Sequence, residues 1–260
     1  MVAALVLDRA DRAAIHRALG RRTSVRICER ADALRAMLAA ADVHLVVTEL
    51  RDAVGASVIP VLTDAVSRGE LPAIVVRESL ADAAAGDVVR LAGARVPARL
   101  SLRGVAPIAD ALVAALGKQP DAGADLAILE RVGSLVPFRT RAFLLVCAAS
   151  PSPRLHVERA SMLLGVARRT LENRLAAAGM PPAHRIVGWC VALHAAWRLD
   201  VLGHRPKRVA ADLGFLSSAA VANLLARYCG CSPTSLRVHG GFQVQLERFA
   251  ALVQPHSRAT

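Results

Sequence analysis

The sequence predicts an α/β domain followed by an all-α domain, and three observations support this fold class. Short apolar runs alternate with helix-like segments over residues 1–117. A segment of glycine, proline and polar residues, 117–123, interrupts this pattern. The remainder is helical in pattern and contains one motif twice. The chain is 54% hydrophobic but only 3% aromatic, and such small apolar side chains suit closely packed helices.

Five apolar runs in residues 1–117 predict five strands. Runs such as LVL, HLVV and AIVV are nearly unbroken, as is typical of strands buried on both faces of a parallel sheet. The segments between them space apolar residues three and four apart, and parallel neighbours require such long, mostly helical connections. Five βα units of this size predict a flavodoxin-like domain with a parallel five-stranded sheet. The predicted strands are Ala3–Leu7, Ser24–Cys28, Val43–Thr48, Ala73–Val76 and Arg99–Leu102, and the predicted helices are Arg12–Leu19, Ala31–Ala40, Ile59–Arg68, Leu80–Leu91 and Ala106–Leu116.

Polar residues gather where these strands end, at the edge where open α/β sheets bind ligands. They predict a ligand or regulatory crevice, with solvated loop charges as the alternative interpretation. No glycine-rich phosphate loop follows the first strand, and we find neither a serine nucleophile elbow nor a paired histidine metal motif. We therefore expect no enzyme, no cofactor and no metal site. The candidate crevice residues are Asp8, Asp11, Thr48, Glu49, Ser79 and Arg103, with Arg77 beside them.

In size and periodicity, residues 1–117 resemble the receiver domain of bacterial response regulators. That family requires an acidic pair after strand 1, which is partly present here. It also requires a phosphoacceptor aspartate after strand 3, where this chain has Glu49, and a lysine after strand 5, where it has Arg103. The small hydroxyl expected after strand 4 is replaced by Arg77 or Glu78. The resemblance therefore implies a pseudo-receiver, a regulatory domain that is not phosphorylated.

Residues 118–136 form a predicted linker and linker helix. The helix runs from about Asp125 to Leu135, and a second, strongly apolar helix runs from Pro137 to Ala149. The linker helix is expected to pack between the domains or against a second copy of the chain. A homodimer through the N-terminal domain or this helix is therefore a further expectation.

The second half repeats a helix, a turn at glycine, a second helix, and then a glycine and a proline. The copies are residues 157–182 and 208–233, which turn at Gly165 and Gly214. Residues 151–260 carry 14 Lys/Arg against 5 Asp/Glu, a net charge of +9. A coding bias explains arginine in place of lysine but not the missing acids. Two helix-turn-helix units on a basic segment make double-stranded DNA the predicted partner.

The second helix of each unit supplies the candidate contacts, because its N-terminal end faces the base edges in a helix-turn-helix. Arginine prefers guanine and asparagine prefers adenine. The outward residues of the second copy are mostly small, so we expect this copy to anchor on phosphates more than to select sequence. The candidate DNA-binding residues are Arg168, Arg169, Thr170, Glu172, Asn173, Lys207, Arg208, Ser217, Ser218, Asn223 and Arg227.

The segments LGVARRTLENRLAAAG and, about 45 residues later, VAADLGFLSSAAVANLLARYCGCSPTSLR resemble the AraC-type DNA-binding domain. The resemblance implies such a domain over residues 137–240, with a long helix near Ala183–Leu202 joining the two units rigidly. Their recognition helices would then lie about one DNA turn, ~34 Å, apart. The chain departs from the family at Ala167, which replaces a capping serine, and at Cys190-Val191 in the connecting helix. The matching residues of the second motif are Val209, Ala210, Gly214, Phe215, Ser217, Gly230, Ser232 and Pro233.

These features predict a sequence-specific transcriptional regulator, with RNA polymerase as a second candidate partner. The alternative is a ligand-sensing or protein-interaction module whose helix-turn-helix units are vestigial. No apolar run approaches the ~20 residues of a membrane span, and no basic region precedes the first apolar run, so we expect a cytoplasmic, nucleoid-associated protein. Residues 241–260 are expected to form a final helix, Gly241–Val253, and a disordered tail.

Overall fold

The computed structural model divides the chain into two compact units, Met1–Leu126 and Ala127–Thr260. The predicted linker, residues 117–122, the start of the fifth predicted helix at Ala106, and the tail after residue 254 lie outside the described residues. The structure describes residues 1–20, 23–40, 43–68, 73–105, 107–116, 123–153 and 155–254.

The apolar runs of the first unit form a five-stranded parallel sheet, as predicted. Its strand order is β2-β1-β3-β4-β5, which is the flavodoxin-like order. The strands β1 and β3 are buried at every position, whereas the edge strand β2 is partly exposed. The strands are β1 Val2–Leu5, β2 Val25–Cys28, β3 Leu45–Thr48, β4 Ala73–Glu78 and β5 Arg99–Leu102.

Five helices connect and follow these strands. Two of them, α1 and α5, pack together, and their apolar residues Ile15 and Leu112 join Val47 and Val75 of the sheet in one core. The helix α2, which connects β2 to β3, contacts α3 and β1. The helices are α1 Arg9–Leu19, α2 Ala31–Ala40, α3 Ile59–Ser67, α4 Asp82–Gly93 and α5 Ile108–Leu116.

Several element boundaries differ from the prediction by a few residues, and two of these differences have an identifiable cause. The helix α1 begins three residues earlier than predicted, because the Asp8 carboxylate accepts a hydrogen bond from the Asp11 amide at 2.9 Å and caps the helix. The strand β4 continues two residues beyond Val76 because Arg77 and Glu78 pair with β5. This extension carries both charged side chains into the sheet edge.

The second unit is helical, as predicted, and its longest helix lies at its centre. This helix, α10, is buried along most of its 18 residues. Trp189 and Trp197 project from it into the core, where they contact Phe249 and Phe242 at ring-centroid distances of 5.9 and 5.0 Å. The helices are α6 Ala124–Val132, which begins before the unit boundary, α7 Phe138–Ala149, α8 Val157–Leu163, α9 Arg168–Ala177, α10 Ala183–Asp200, α11 Pro206–Leu213, α12 Ser218–Cys229 and α13 Gly241–Val253.

Length and apolar composition together test whether a helix can span a membrane. Among the described residues, no single helix passes. Within the described ranges one pair of helices, α11 and α12, passes when the two are taken together, but they are bent by 89°.

Candidate functional sites

The two helix-turn-helix units turn through the same backbone hydrogen bonds. After α8, the Val166 amide donates to the Ser161 carbonyl and the Gly165 amide donates to the Met162 carbonyl, both at 3.1 Å. Gly165 has a φ of +64°, a left-handed conformation that glycine adopts at no steric cost. This is the Schellman pattern of a helix that ends at glycine.

The second helix-turn-helix unit has the same hydrogen-bond pattern at the turn between α11 and α12. The Phe215 amide donates to the Ala210 carbonyl at 2.8 Å, and the Gly214 amide donates to the Ala211 carbonyl at 3.2 Å. Gly214 has a φ of +79°, and the two helices bend by 89° across the turn. Bends near 90° between helices are typical of helix-turn-helix units. The internal repeat predicted from the sequence is therefore present in the backbone.

The two second helices begin differently. Ser217, as predicted, caps α12, because its hydroxyl accepts a hydrogen bond from the Ala220 amide at 3.3 Å. At the equivalent position of α9, Ala167 has the extended backbone of a capping residue, φ −66° and ψ 145°, but no side chain that can accept a hydrogen bond. An N-terminal amide of α9 thus lacks the side-chain partner that its counterpart in α12 has.

We expect Ala167→Ser to stabilise the C-terminal unit by about 1 kcal/mol, because a serine hydroxyl accepts from an otherwise unpaired amide at this position. Urea unfolding followed by tryptophan fluorescence measures this, since both tryptophans lie in the C-terminal unit. The matched control is Ala176→Ser, an equally exposed position inside α9, where serine loses up to ~0.5 kcal/mol of helix propensity. An Ala167→Ser variant that is no more stable than the control contradicts the prediction.

The helix α9 buries only two of its residues, Leu171 and Leu175. Its other side chains point to solvent, including the predicted contacts Arg169, Thr170 and Asn173. Within the part of the chain that the structure describes, Arg169 and Asn173 make no hydrogen bond or ion pair. Both are therefore available to a partner, as the sequence prediction requires.

Arg168 differs from its neighbour because it already has partners. Its guanidinium forms an ion pair with Glu158 of α8 and donates to the Glu172 carboxylate at 2.8 Å. These side chains are about half exposed, and exposed ion pairs of this kind contribute ~0–1 kcal/mol. Glu158 was not among the sequence candidates, since its contact depends on the fold of the turn between the helices. A phosphate can replace either carboxylate at small cost.

The second unit presents a smaller set of polar side chains. On α12, Ser218, Asn223 and Arg227 are exposed, and the Arg227 guanidinium lies 5.5 Å from the centre of the Tyr228 ring. Lys207 of α11 is also exposed. The remaining candidate of α11, Arg208, lies 3.8 Å from the Asp212 carboxylate, which is a weak surface ion pair.

Residues of both helix-turn-helix units, all within the C-terminal unit, line one cavity of about 560 Å³. Arg168 at the start of α9 and Asn223 and Arg227 of α12 lie in its walls, and one face of α10 forms its floor. The N-terminal end of α9 and the outward face of α12 therefore open to the same side of the connecting helix. Sequence reasoning did not find this cavity, because its lining residues come from four helices whose arrangement no local pattern encodes.

In the N-terminal unit, the sheet edge is filled by a network of ion pairs centred on Asp11. The Arg77 guanidinium donates to both Asp11 carboxylate oxygens at 3.1 Å and to the Ser101 hydroxyl at 2.9 Å. The Arg103 guanidinium donates to Asp11 at 2.9 Å and to Glu49 at 2.6 Å. The Arg77 and Asp11 side chains are only 7% and 11% exposed, so this pair is excluded from solvent.

The pKa values of the buried acids follow from these contacts. Burial alone would raise the pKa of Asp11, but the hydrogen bonds and charges of Arg77 and Arg103 outweigh it and lower that pKa. Burial raises the pKa of Glu78, and the hydrogen bonds that its carboxylate accepts from the Leu50 and Ser79 amides only partly oppose this effect. Two arginines thus favour the charged form of Asp11, whereas burial favours the neutral form of Glu78.

The structure brings together three of the six predicted crevice residues, Asp11, Glu49 and Arg103. The other three have local roles: Asp8 caps α1, the buried Thr48 hydroxyl donates to the Glu49 carbonyl at 2.6 Å, and the Ser79 amide donates to Glu78. Arg77, which the sequence placed only beside the candidates, is the residue that fills the edge. The sequence prediction missed this role because it ended β4 at Val76, whereas the strand continues through Arg77 and Glu78.

No family model matches the chain, and no curated protein matches it. Among solved structures, the chain is similar to the RcsB response regulator of Salmonella typhimurium, in a structure described as showing conformational dynamism for DNA interaction. The identity is 16% and the TM-score 0.36, over 68% of this chain and 89% of that chain. The match transfers no partner or activity to this chain, whose flavodoxin-like fold rests on its own strand order.

Proposed function

We propose that this protein is a DNA-binding transcriptional regulator that places its two helix-turn-helix units in adjacent major grooves. The observation that supports the proposal is the shared cavity, because Arg168 at the start of α9 lines it together with Asn223 and Arg227 of α12, on one side of α10. One face of a duplex meets both units only if they share a side. The net charge of +9 over residues 151–260 supplies the attraction to phosphates.

The two units have different roles in this proposal. The first reads bases through Arg169 and Asn173, which are exposed and unpaired in the described part of the chain. The second holds the DNA backbone mainly through Lys207 and Arg227, because the outward residues of α12 are mostly small and form a poor set of base readers. The AraC-type architecture, with a rigid connecting helix, is the arrangement that this division of roles fits.

The N-terminal unit is proposed to regulate without phosphoryl transfer and without enzymatic activity. An acyl phosphate forms on an aspartate with a cation close by. Here the position after β3 is Glu49, and two guanidinium groups already neutralise the acids of this edge. Contacts with RNA polymerase, and dimerisation through this unit or α6, belong to the same proposal.

A salt titration of binding to duplex DNA tests this function. If the protein neutralises 6–10 phosphates, its affinity is expected to fall roughly 10³–10⁵-fold between about 50 and 200 mM salt. Fluorescence anisotropy on a duplex selected from a random pool, and on a scrambled duplex of the same length, measures both affinity and preference. Equal affinity for the two duplexes at every salt concentration overturns the proposal of sequence-specific regulation.

The alternative is a ligand-sensing or protein-interaction module that has lost DNA binding. The observation in its favour is that Arg168, at the reading end of α9, is engaged by Glu158 and Glu172. A protein partner that stays bound after nuclease treatment, together with no salt-dependent DNA affinity, favours this alternative.

A further inference from the structure

The cavity between the helix-turn-helix units has the size of a small-molecule site. Its volume of about 560 Å³ lies inside the ~300–1,000 Å³ that is usual for ligand pockets. Its walls come from the start of α8, the first turn of α9, one face of α10, the turn before α12, and α12 itself. A double helix is too wide to enter such a recess, whereas a compact organic molecule fits it.

The floor of the cavity is apolar and closely packed. Val187 and Val191 of α10 face Leu224 of α12, and all three line the cavity. Between them, Gly188 lets the Tyr228 ring lie on the α10 backbone, since a Cβ atom at this glycine would stand 2.0 Å from the Tyr228 hydroxyl. A flat apolar body can therefore stack in this space on aliphatic and aromatic side chains.

The rim of the cavity carries one arginine side chain that has no acidic partner among the described residues. Arg227 has no ion pair there, and its guanidinium contacts only the Tyr228 ring face. The imidazole rings of His156 and His184 also line the cavity and make no hydrogen bond within the described ranges. The one carboxylate of the lining, Glu158, is already paired with Arg168. The charge that remains for a ligand is therefore positive.

We propose that this cavity binds a small aromatic organic anion. The apolar body of the ligand lies on the α10 floor, and its carboxylate or sulfonate group accepts hydrogen bonds from Arg227. Asn223 and Arg227 are also proposed DNA contacts, so a bound anion competes with the duplex. This second clause rests on the proposed function, whereas anion binding itself does not.

Anilinonaphthalene sulfonate is a suitable probe, because it is an aromatic anion whose fluorescence increases strongly in an apolar environment. With the full chain we expect one saturable site per protein. Arg227→Gln is expected to weaken binding about tenfold, since it removes a charge-assisted hydrogen bond. Leu224→Trp is expected to abolish binding by filling the cavity. Arg17→Gln in the N-terminal unit and Val238→Trp at an 86% exposed position are the matched controls and should bind as the parent does.

A Leu224→Trp protein that fails to fold, as judged by near-ultraviolet circular dichroism, is replaced by Gly188→Ala, which pushes the Tyr228 ring into the cavity. Non-saturable binding, or parental affinity in Arg227→Gln and in the folded filling variant, overturns the proposal. If the probe does not bind while salt-dependent DNA affinity persists, the cavity proposal fails and the proposed function stands. If the probe binds as expected and no duplex is bound, the cavity stands and the proposed function fails. Binding of both without displacement of the probe by duplex overturns the competition.

Discussion

Replacing Arg77 with methionine is expected to destabilise the N-terminal unit by about 3–5 kcal/mol, the usual effect of removing one partner from a buried ion pair. The variant leaves the Asp11 carboxylate, whose side chain is 11% exposed, with only Arg103 as a charged partner among the contacts described, and it also removes the donor to Ser101. Urea unfolding followed by far-ultraviolet circular dichroism measures the loss. Tryptophan fluorescence reports the C-terminal unit separately and should not change.

Two further variants decide whether the ion pair causes this effect. Arg77→Met with Asp11→Leu should recover part of the stability, because replacing both partners of a buried pair by apolar groups is often neutral or stabilising. Arg30→Met is the matched control, since Arg30 pairs with Asp32 at an exposed site, where such pairs contribute ~0–1 kcal/mol. If Arg77→Met costs no more than Arg30→Met, the network does not hold this sheet edge together.

The pH dependence of the same proteins provides a second readout. The pKa of Asp11 is lowered in the folded unit, so its contribution to stability is present above the ordinary aspartate pKa of about 3.9 and is lost as the pH falls through the lowered value. The pKa of Glu78 is raised, so its contribution is present at low pH and is lost as the pH rises through that raised value. Arg77→Met should therefore flatten the acid limb, where Asp11 acts.

The fold of the first unit was predictable because burial imposes composition on a strand. A strand covered on both faces must be apolar throughout, and this is why β1 and β3 stand out in the sequence. The end of β4 was not predictable from composition, since its last two residues, Arg77 and Glu78, are charged. Pairing with β5 keeps them in the sheet, and this pairing depends on the tertiary structure.

The helix-turn-helix units were predictable for a different reason, namely that their signals are local. A left-handed glycine such as Gly214 and a capping residue such as Ser217 act within one turn of a helix. The contacts of the buried charged residues at the sheet edge are not local. Asp11 and Arg77 are 66 positions apart, and nothing near either residue indicates its partner.

The two helix-turn-helix units are expected to respond differently to the loss of their polar side chains: the first loses base preference, and the second loses affinity for any duplex. Arg169→Ala and Asn173→Ala should relax base preference, with a loss of about 1–3 kcal/mol on the selected duplex for each base contact removed and little change on the scrambled duplex. Lys207→Ala and Arg227→Ala should lower affinity for both duplexes by similar factors. Each of these two should also reduce the slope of log affinity against log salt by about 1, because each removes one phosphate contact.

Anisotropy titrations of the four variants on both duplexes, at several salt concentrations, separate the two classes. Arg131→Ala is the control, since Arg131 forms an ion pair with Glu247 in the C-terminal unit and is not a proposed DNA contact. Its affinity and slope should match the parent. A change of base preference in Arg227→Ala, with none in Arg169→Ala, would exchange the roles of the two units. Asn223, an exposed asparagine of α12, would then be the candidate reader of adenine in place of Asn173.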